Sequence, residues 1–258
     1  MIQDGDGHKM ERERIDKVLA NAGMGSRQEV KAALKKGLVF LNGEKVTRPE
    51  MKINPKMDNI MFAGKPLTYQ MFFYYMLHKP AGVICAVKDP AHKTVLSLIE
   101  KPCPKGLFPV GRLDKDTEGL LLLTNDGELA HSLLSPKRHV DKTYYVKLDQ
   151  PLEEEKARLL SKGLSIGDEK DTLPAKLDIL TKKEVMITIQ EGRYHQVKRM
   201  FQSVGLQVLY LKRISMGGLV LDKSLKKGEY RTLTEREIQC LKESGKQVHV
   251  EKNKSHYF

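Results

Sequence analysis

The stretch Gly111-Arg112-Leu113-Asp114-Lys115-Asp116-Thr117-Glu118-Gly119, running on into Leu120-Leu121-Leu122-Leu123-Thr124-Asn125-Asp126-Gly127, decides how the rest of the chain is read. A charged loop enters a continuous apolar run that stops at Asn125-Asp126-Gly127. A bounded apolar run of that length suits a buried strand, and Asn-Asp-Gly supplies the turn that ends it. The loop sets two carboxylates, Asp114 and Asp116, among Arg112 and Lys115. Fixed cations favour the charged form of a neighbouring carboxylate. An ionised carboxylate on a loop braced by a buried strand is a candidate nucleophile or base. Taken alone, such a loop is more often plain solvated surface.

Composition narrows the setting. The 258 residues allow one large domain or a small one beside a medium one, and 40% apolar content supports a packed core. A formal charge of +12 calls for an anionic partner, nucleic acid first. No apolar run approaches the roughly 20 residues of a membrane span. The polar start, Met1 to Arg14, has no apolar secretory core, and residues 1–9 read as a loose leader or vector-derived stretch before Met10. Cys85, Cys103 and Cys240 are scattered and odd in number, so neither a disulfide framework nor a zinc site is expected. A reducing, cytoplasmic setting fits them.

Residues 10–68 form a small module in this reading. Ile15, Val18 and Leu19 recur at helical spacing up to Gly23-Met24-Gly25. Ser26 is placed to cap a second helix, with Glu29 as its capping-box partner. Val30, Ala33 and Leu34 point inward there, and Lys31, Lys35 and Lys36 outward. A short strand, Val39–Leu41, and the hairpin signal Asn42-Gly43 follow. Arg27, Lys31 and Lys35 are candidate phosphate contacts, against the plainer alternative of a solvated helix face.

Residues 69–244 form the larger domain, and residues 245–258 a polar tail. Strands are expected at 72–77, 120–123, 142–147, 175–180, 185–190, 208–214 and 218–221, with a further turn and strand at 228–231. Helical segments are expected at 94–99, 128–134, 151–162 and 234–243, and a turn into a helix at 191–201. Pro80 and Gly82 in His78-Lys79-Pro80-Ala81-Gly82 are turn formers. The fold class is α+β: a mixed, largely antiparallel sheet with a cleft, flanked by helices.

The motif around Asp114, with its leucines and its terminal Thr-Asn-Asp-Gly, resembles the signature of RNA pseudouridine synthases, in the branch that modifies ribosomal RNA. The run from Arg14 through Gly43-Glu44-Lys45-Val46 is similar to the S4-type RNA-binding module found in several RNA-modifying enzymes. These enzymes break the uridine N1–C1′ bond, rotate the base and rejoin it through C5, without a metal or other cofactor. The resemblance implies that Asp114 is the family's essential aspartate, acting at the ribose. It places Arg112 on RNA beside a flipped base, Tyr144 as the ring that stacks on that base, and Lys198 as the cation paired with Asp114. Val197 becomes the apolar wall facing the base, and Arg193 and Arg199 a basic helix face on phosphate.

By strand alternation Lys142 shares the face of Tyr144 and joins the RNA contacts, while Tyr145 points the other way, into the core. His195 takes a structural or RNA-contacting role. Asp116 and Thr117 shape the loop through side-chain to backbone hydrogen bonds. The expected partner is small-subunit ribosomal RNA, free or in a partly assembled particle, bound by a monomer that uses no membrane. Three rival readings stay open: a sister enzyme of large-subunit RNA, a non-catalytic ribosome-assembly protein, and a hydrolase or lyase working with Asp114 and Asp116.

Overall fold

The structure, a computed structural model, describes residues 12–55, 57–67, 72–100 and 103–245. The expectations for residues 1–9, for linker residues 68–70 and for the tail after 245 lie outside the described residues. The chain divides between Phe72 and Phe73 into two units, four residues later than the sequence boundary.

In the first unit, α1 (Ile15–Asn21) and α2 (Arg27–Lys35) pack beside a small sheet of β1 (Val39–Leu41), β2 (Glu44–Lys45), β3 (Ile60–Phe62) and β4 (Lys65–Pro66), in the order β2-β1-β3-β4. The capping box forms as the sequence requires: the Glu29 N–H donates to Ser26 Oγ, and the Ser26 N–H to the Glu29 carboxylate at 2.6 Å. Ile15, Val18, Leu19, Val30 and Leu34 close a core against Val39, Leu41 and Ile60. That inward stripe leaves Arg27, Lys31 and Lys35, one helical turn apart, exposed along α2.

The second unit is built on β5 (Tyr74–Lys79), β6 (Glu118–Thr124), β7 (Lys142–Leu148), β8 (Lys176–Thr181), β9 (Glu184–Ile189), β10 (Val208–Met216) and β11 (Tyr230–Thr232). Their order is β8-β9-β7-β10-β6-β5-β11, with two short strands pairing off this path. All neighbours are antiparallel except β10 and β6. Helices α3 (Gly127–Leu134), α4 (Glu154–Lys162), α5 (Gln196–Ser203) and α6 (Glu235–Ser244) complete it. This is the α+β, mostly antiparallel architecture expected. The stretch expected as a helix at 94–99 is a single 3-10 turn, Val95–Leu98.

Every residue of β6 is buried, and two separate cores explain it. Leu120 and Leu122 pack with Leu129, Leu133, Ile238 and Leu241 of α3 and α6. Leu121 and Leu123 face the opposite way, onto Leu77, Val83, Val95, Ile99 and Leu107. At the far end the Asp126 carboxylate caps α3 by accepting from the Leu129 N–H at 3.0 Å, and it accepts from Tyr74 Oη at 2.7 Å. The loop before β6 is therefore attached to a strand that has no room to shift.

Tyr145 departs from expectation. It is half-buried on the outer face of β7, edge-on to Tyr210 with ring centroids 6.1 Å apart. The inward positions Tyr144, Val146 and Leu148 fill the core, and an antiparallel sheet needs cover on one face only. The alternation was right; the face Tyr145 takes is the solvated one.

At the parallel contact, Gly119 lies opposite Arg213 with φ +106°, and a Cβ there would stand 2.2 Å from the Arg213 carbonyl oxygen. Neither backbone can yield without opening the sheet. Gly119→Ala is expected to cost about 3 kcal/mol or more in denaturant unfolding. A loss under about 1 kcal/mol would show that β6 and β10 can separate freely.

Candidate active site

The Asp114 loop is shaped from below by a residue that the sequence reading passed over. Lys79, the last residue of β5, has no exposed surface. Its Nζ donates to the carbonyl oxygens of Thr117 (2.8 Å), Asp114 (3.0 Å), Pro80 (3.1 Å) and Lys115 (3.3 Å). Burial pushes this ammonium's pKa down, while Cys85 and the nearby acidic side chains pull the other way. The Gly82 N–H donates to Lys115 O, the Thr117 N–H to Asp114 O, and the Leu113 N–H to Cys85 Sγ at 3.3 Å. Backbone groups thus set the loop's shape. The side chains add less: Asp116 binds Lys198 and accepts from its own backbone N–H, and Thr117 Oγ1 is buried without a partner.

The loop opens onto a solvent-connected cleft lined by Arg112, Asp114, Tyr144, His195, Val197 and Leu211, with Arg193 at its side. Tyr144 comes from β7, and its residue is 8% exposed. Val197 comes from the first turn of α5. That helix is anchored by Gln196, whose Oε1 accepts from the Arg193 N–H at 2.9 Å and whose Nε2 donates to Glu191 at 2.8 Å. Met200 and Phe201 on the same helix are fully buried.

The next residue, Lys198, reaches back to the loop. Its Nζ lies 3.2 Å from Asp114 Oδ2 and 2.6 Å from Asp116 Oδ1. Burial would depress the Lys198 pKa, but the bonds and charges of Asp116 and Asp114 outweigh it and raise the value. Asp116 mirrors this: partial burial acts upward, and Lys198 still holds it below the usual carboxylate range. On the other side of Asp114, His195 Nε2 stands 3.5 Å from Oδ1. His195 occupies the cap position before α5 with φ +48°, a left-handed conformation uncommon outside glycine.

Three expected RNA contacts have other employment. Lys142 does share the Tyr144 face, but that face is interior. Its residue is 7% exposed, its Nζ donates to Val140 O at 3.0 Å, and no phosphate can approach it. Arg199 forks onto Asp168 at 2.6 Å and donates to the carbonyls of Ile166 and Tyr194. Arg193 donates to Glu191, Lys170 O and Asp171 O. Both guanidiniums clamp the 166–171 loop instead of presenting free donors to a phosphate. Asp168, bonded to Arg199 first and Arg193 second, is held below the ordinary carboxylate range. Arg213, also passed over, lies opposite Tyr144 in the sheet, 2% exposed, with Nε on Leu120 O.

Comparison with known proteins then decides the family. Residues 73–203 match the RNA pseudouridylate synthase family and residues 13–60 the S4 domain. The chain belongs to the RNA pseudouridine synthases. It is 47% identical over 238 residues to the uncharacterized RNA pseudouridine synthase YtzG of Bacillus subtilis (strain 168), covering 89% of this chain and 98% of that one. It is 43% identical over 227 residues to ribosomal small subunit pseudouridine synthase A of Escherichia coli (strain K12), covering 87% and 98%. A crystal structure of a pseudouridylate synthase superposes with TM-score 0.64 at 41% identity, covering 88% of this chain and 99% of that one. As a pseudouridine synthase the protein is an isomerase. Among the described residues no helix is long and apolar enough to cross a membrane.

The buried Lys142 supplies a test of this interior. Burial, aided by the Arg213 charge, pushes its pKa down to about 8 from the ordinary 10.5. Between those values the unfolded chain binds the extra proton, so native stability climbs as pH rises through the window. Lys142→Met removes the buried charge and is expected to stabilise the fold at pH 7 by roughly 2–3 kcal/mol, an advantage that shrinks toward pH 10.5. Denaturant unfolding across that range checks it. A difference that stays constant with pH would mean the ammonium is not held in a low-dielectric site.

Proposed function

We propose that the protein converts a uridine of small-subunit ribosomal RNA to pseudouridine, with Asp114 as the one carboxylate acting on the ribose. The observation that carries this reading is the Asp114 carboxylate itself, facing the cleft while Lys198 holds Oδ2 at 3.2 Å. A carboxylate of fixed rotamer beside a cation is prepared to act at the ribose as its glycosidic bond breaks. Asp116, on the same ammonium, keeps Lys198 in place. The Tyr144 ring is the surface on which the detached base rests and turns, and Val197 closes the opposite side.

Arg112, exposed at the cleft, is the cation nearest to where a phosphodiester would pass. Extruding the nucleotide costs a few kcal/mol, which stacking in the cleft and contacts to the backbone offset. Arg27, Lys31 and Lys35 grip phosphates without reading sequence. The small-subunit assignment rests on the name of the 43% identical Escherichia coli relative and on the Tyr194-His195-Gln196-Val197-Lys198 run.

Pseudouridine mapping of both ribosomal RNAs, after incubation with the enzyme and with Asp114→Asn, is the deciding experiment. One new small-subunit site is expected, with turnover reduced about 10³-fold or more in the variant and RNA binding retained. A site in large-subunit RNA would overturn the substrate assignment; loss of binding in the variant would make Asp114 structural. Replacing Arg27, Lys31 and Lys35 together by alanine is expected to weaken RNA binding and to flatten its log–log salt dependence by about 2 units. Turnover at saturating RNA should be untouched, and an unaltered salt slope would remove α2 from the interface.

A further inference from the structure

Tyr194 is 70% exposed, yet its ring is not loose. It lies nearly parallel to the His195 ring, with centroids 3.9 Å apart and planes 17° from each other. Its carbonyl oxygen accepts from Arg199 Nη1 at 3.1 Å, so the backbone is tied down as well. His195 is fixed in turn: its backbone is left-handed, it begins α5, it lines the cleft, and its Nε2 stands 3.5 Å from Asp114. One face of Tyr194 is therefore covered by a ring that touches the catalytic carboxylate, and the other is offered to solvent just outside the cleft.

We propose that the open face of Tyr194 is a stacking platform for the nucleobase neighbouring the target uridine, which makes Tyr194 a positioning residue for the RNA. This rests on the cleft being the seat of the flipped uridine, and not on which ribosomal RNA supplies it. Once a uridine leaves its stack, the adjacent base loses a partner. A flat ring ordered at stacking distance beside the cleft replaces that partner without paying to be ordered first. The column would then run from His195 through Tyr194 to the neighbouring base. A nucleobase suits this surface better than a peptide side chain, because every base presents a π-face of the same thickness and Arg112 lies on the same cleft for the attached phosphate. The neighbouring base, not the target, is the one stacked here, since the target base is taken by Tyr144 deeper in.

The test uses the ribosomal RNA fragment carrying the uridine that mapping identifies, from whichever subunit, so a wrong subunit assignment leaves it intact. Tyr194→Ala is expected to raise KM by about 5- to 100-fold with kcat little changed, and Tyr194→Phe to restore it. An abasic nucleotide beside the target should raise the KM of the unaltered enzyme to a similar degree, and Tyr194→Ala should add nothing further on that RNA. Unchanged KM in Tyr194→Ala overturns the proposal. So does failure of Phe to rescue, or penalties for the variant and the abasic site that simply multiply. Should the alanine variant fold poorly, the abasic arm stands by itself: no penalty at either neighbour of the target overturns the proposal.

Discussion

A lysine ammonium enclosed by carbonyl oxygens holds the Asp114 loop in shape. Taking the Lys79 charge out of water costs several kcal/mol, and what compensates is four carbonyl groups, three of them from the 114–117 turn. The choice of partner matters. Had a carboxylate neutralised Lys79, Asp114 or Asp116 would have been turned inward and consumed. Because backbone dipoles do the work, the loop wraps its main chain around the cation and turns its acidic side chains outward, one of them into the cleft.

That arrangement needs two anchors. β6 supplies one, being clamped between separate cores, and the contact of Gly119 with Arg213 locks it to β10. β10 pairs with β7, which carries Tyr144, so loop and Tyr144 ring belong to one continuous sheet. α5 supplies the other: Gln196 and the buried Met200 and Phe201 fix the helix from which Val197 and Lys198 project. The site is thus assembled from three separate stretches of chain, and only the sheet and its core bring them within reach.

How legible this was in the sequence differed by kind of residue. The strands and helices announced themselves through periodicity, and the capping box at Ser26 through two residues in a fixed relation. Asp114, Tyr144, Val197 and Lys198 were singled out by a motif resemblance; the first three line one cleft, and Lys198 bonds Asp114. Arg193 and Arg199 were read as phosphate contacts and are engaged elsewhere, for one reason. Whether an arginine faces solvent or is spent inside depends on a partner distant in sequence. Asp168, which engages Arg193 and Arg199, lies in a loop to which no element was assigned. Lys142 and Tyr145 illustrate a related limit: alternation tells which residues share a face but not which face is covered. Lys79 was hidden because Pro80 and Gly82 beside it already explained the turn.

Lys198 divides one positive charge between Asp114 and Asp116, so this trio carries a surplus negative charge beside the cleft that Asp114 lines. On the proposed reading, that charge would repel phosphate groups and favour the electrically neutral part of a nucleotide, its base and sugar, beside Asp114. On that reading, Arg112, Arg27, Lys31 and Lys35 would govern how tightly RNA is held, and the acidic trio what part of it goes in. Grip and admission would then rest on opposite charges, and each could be tuned without disturbing the other.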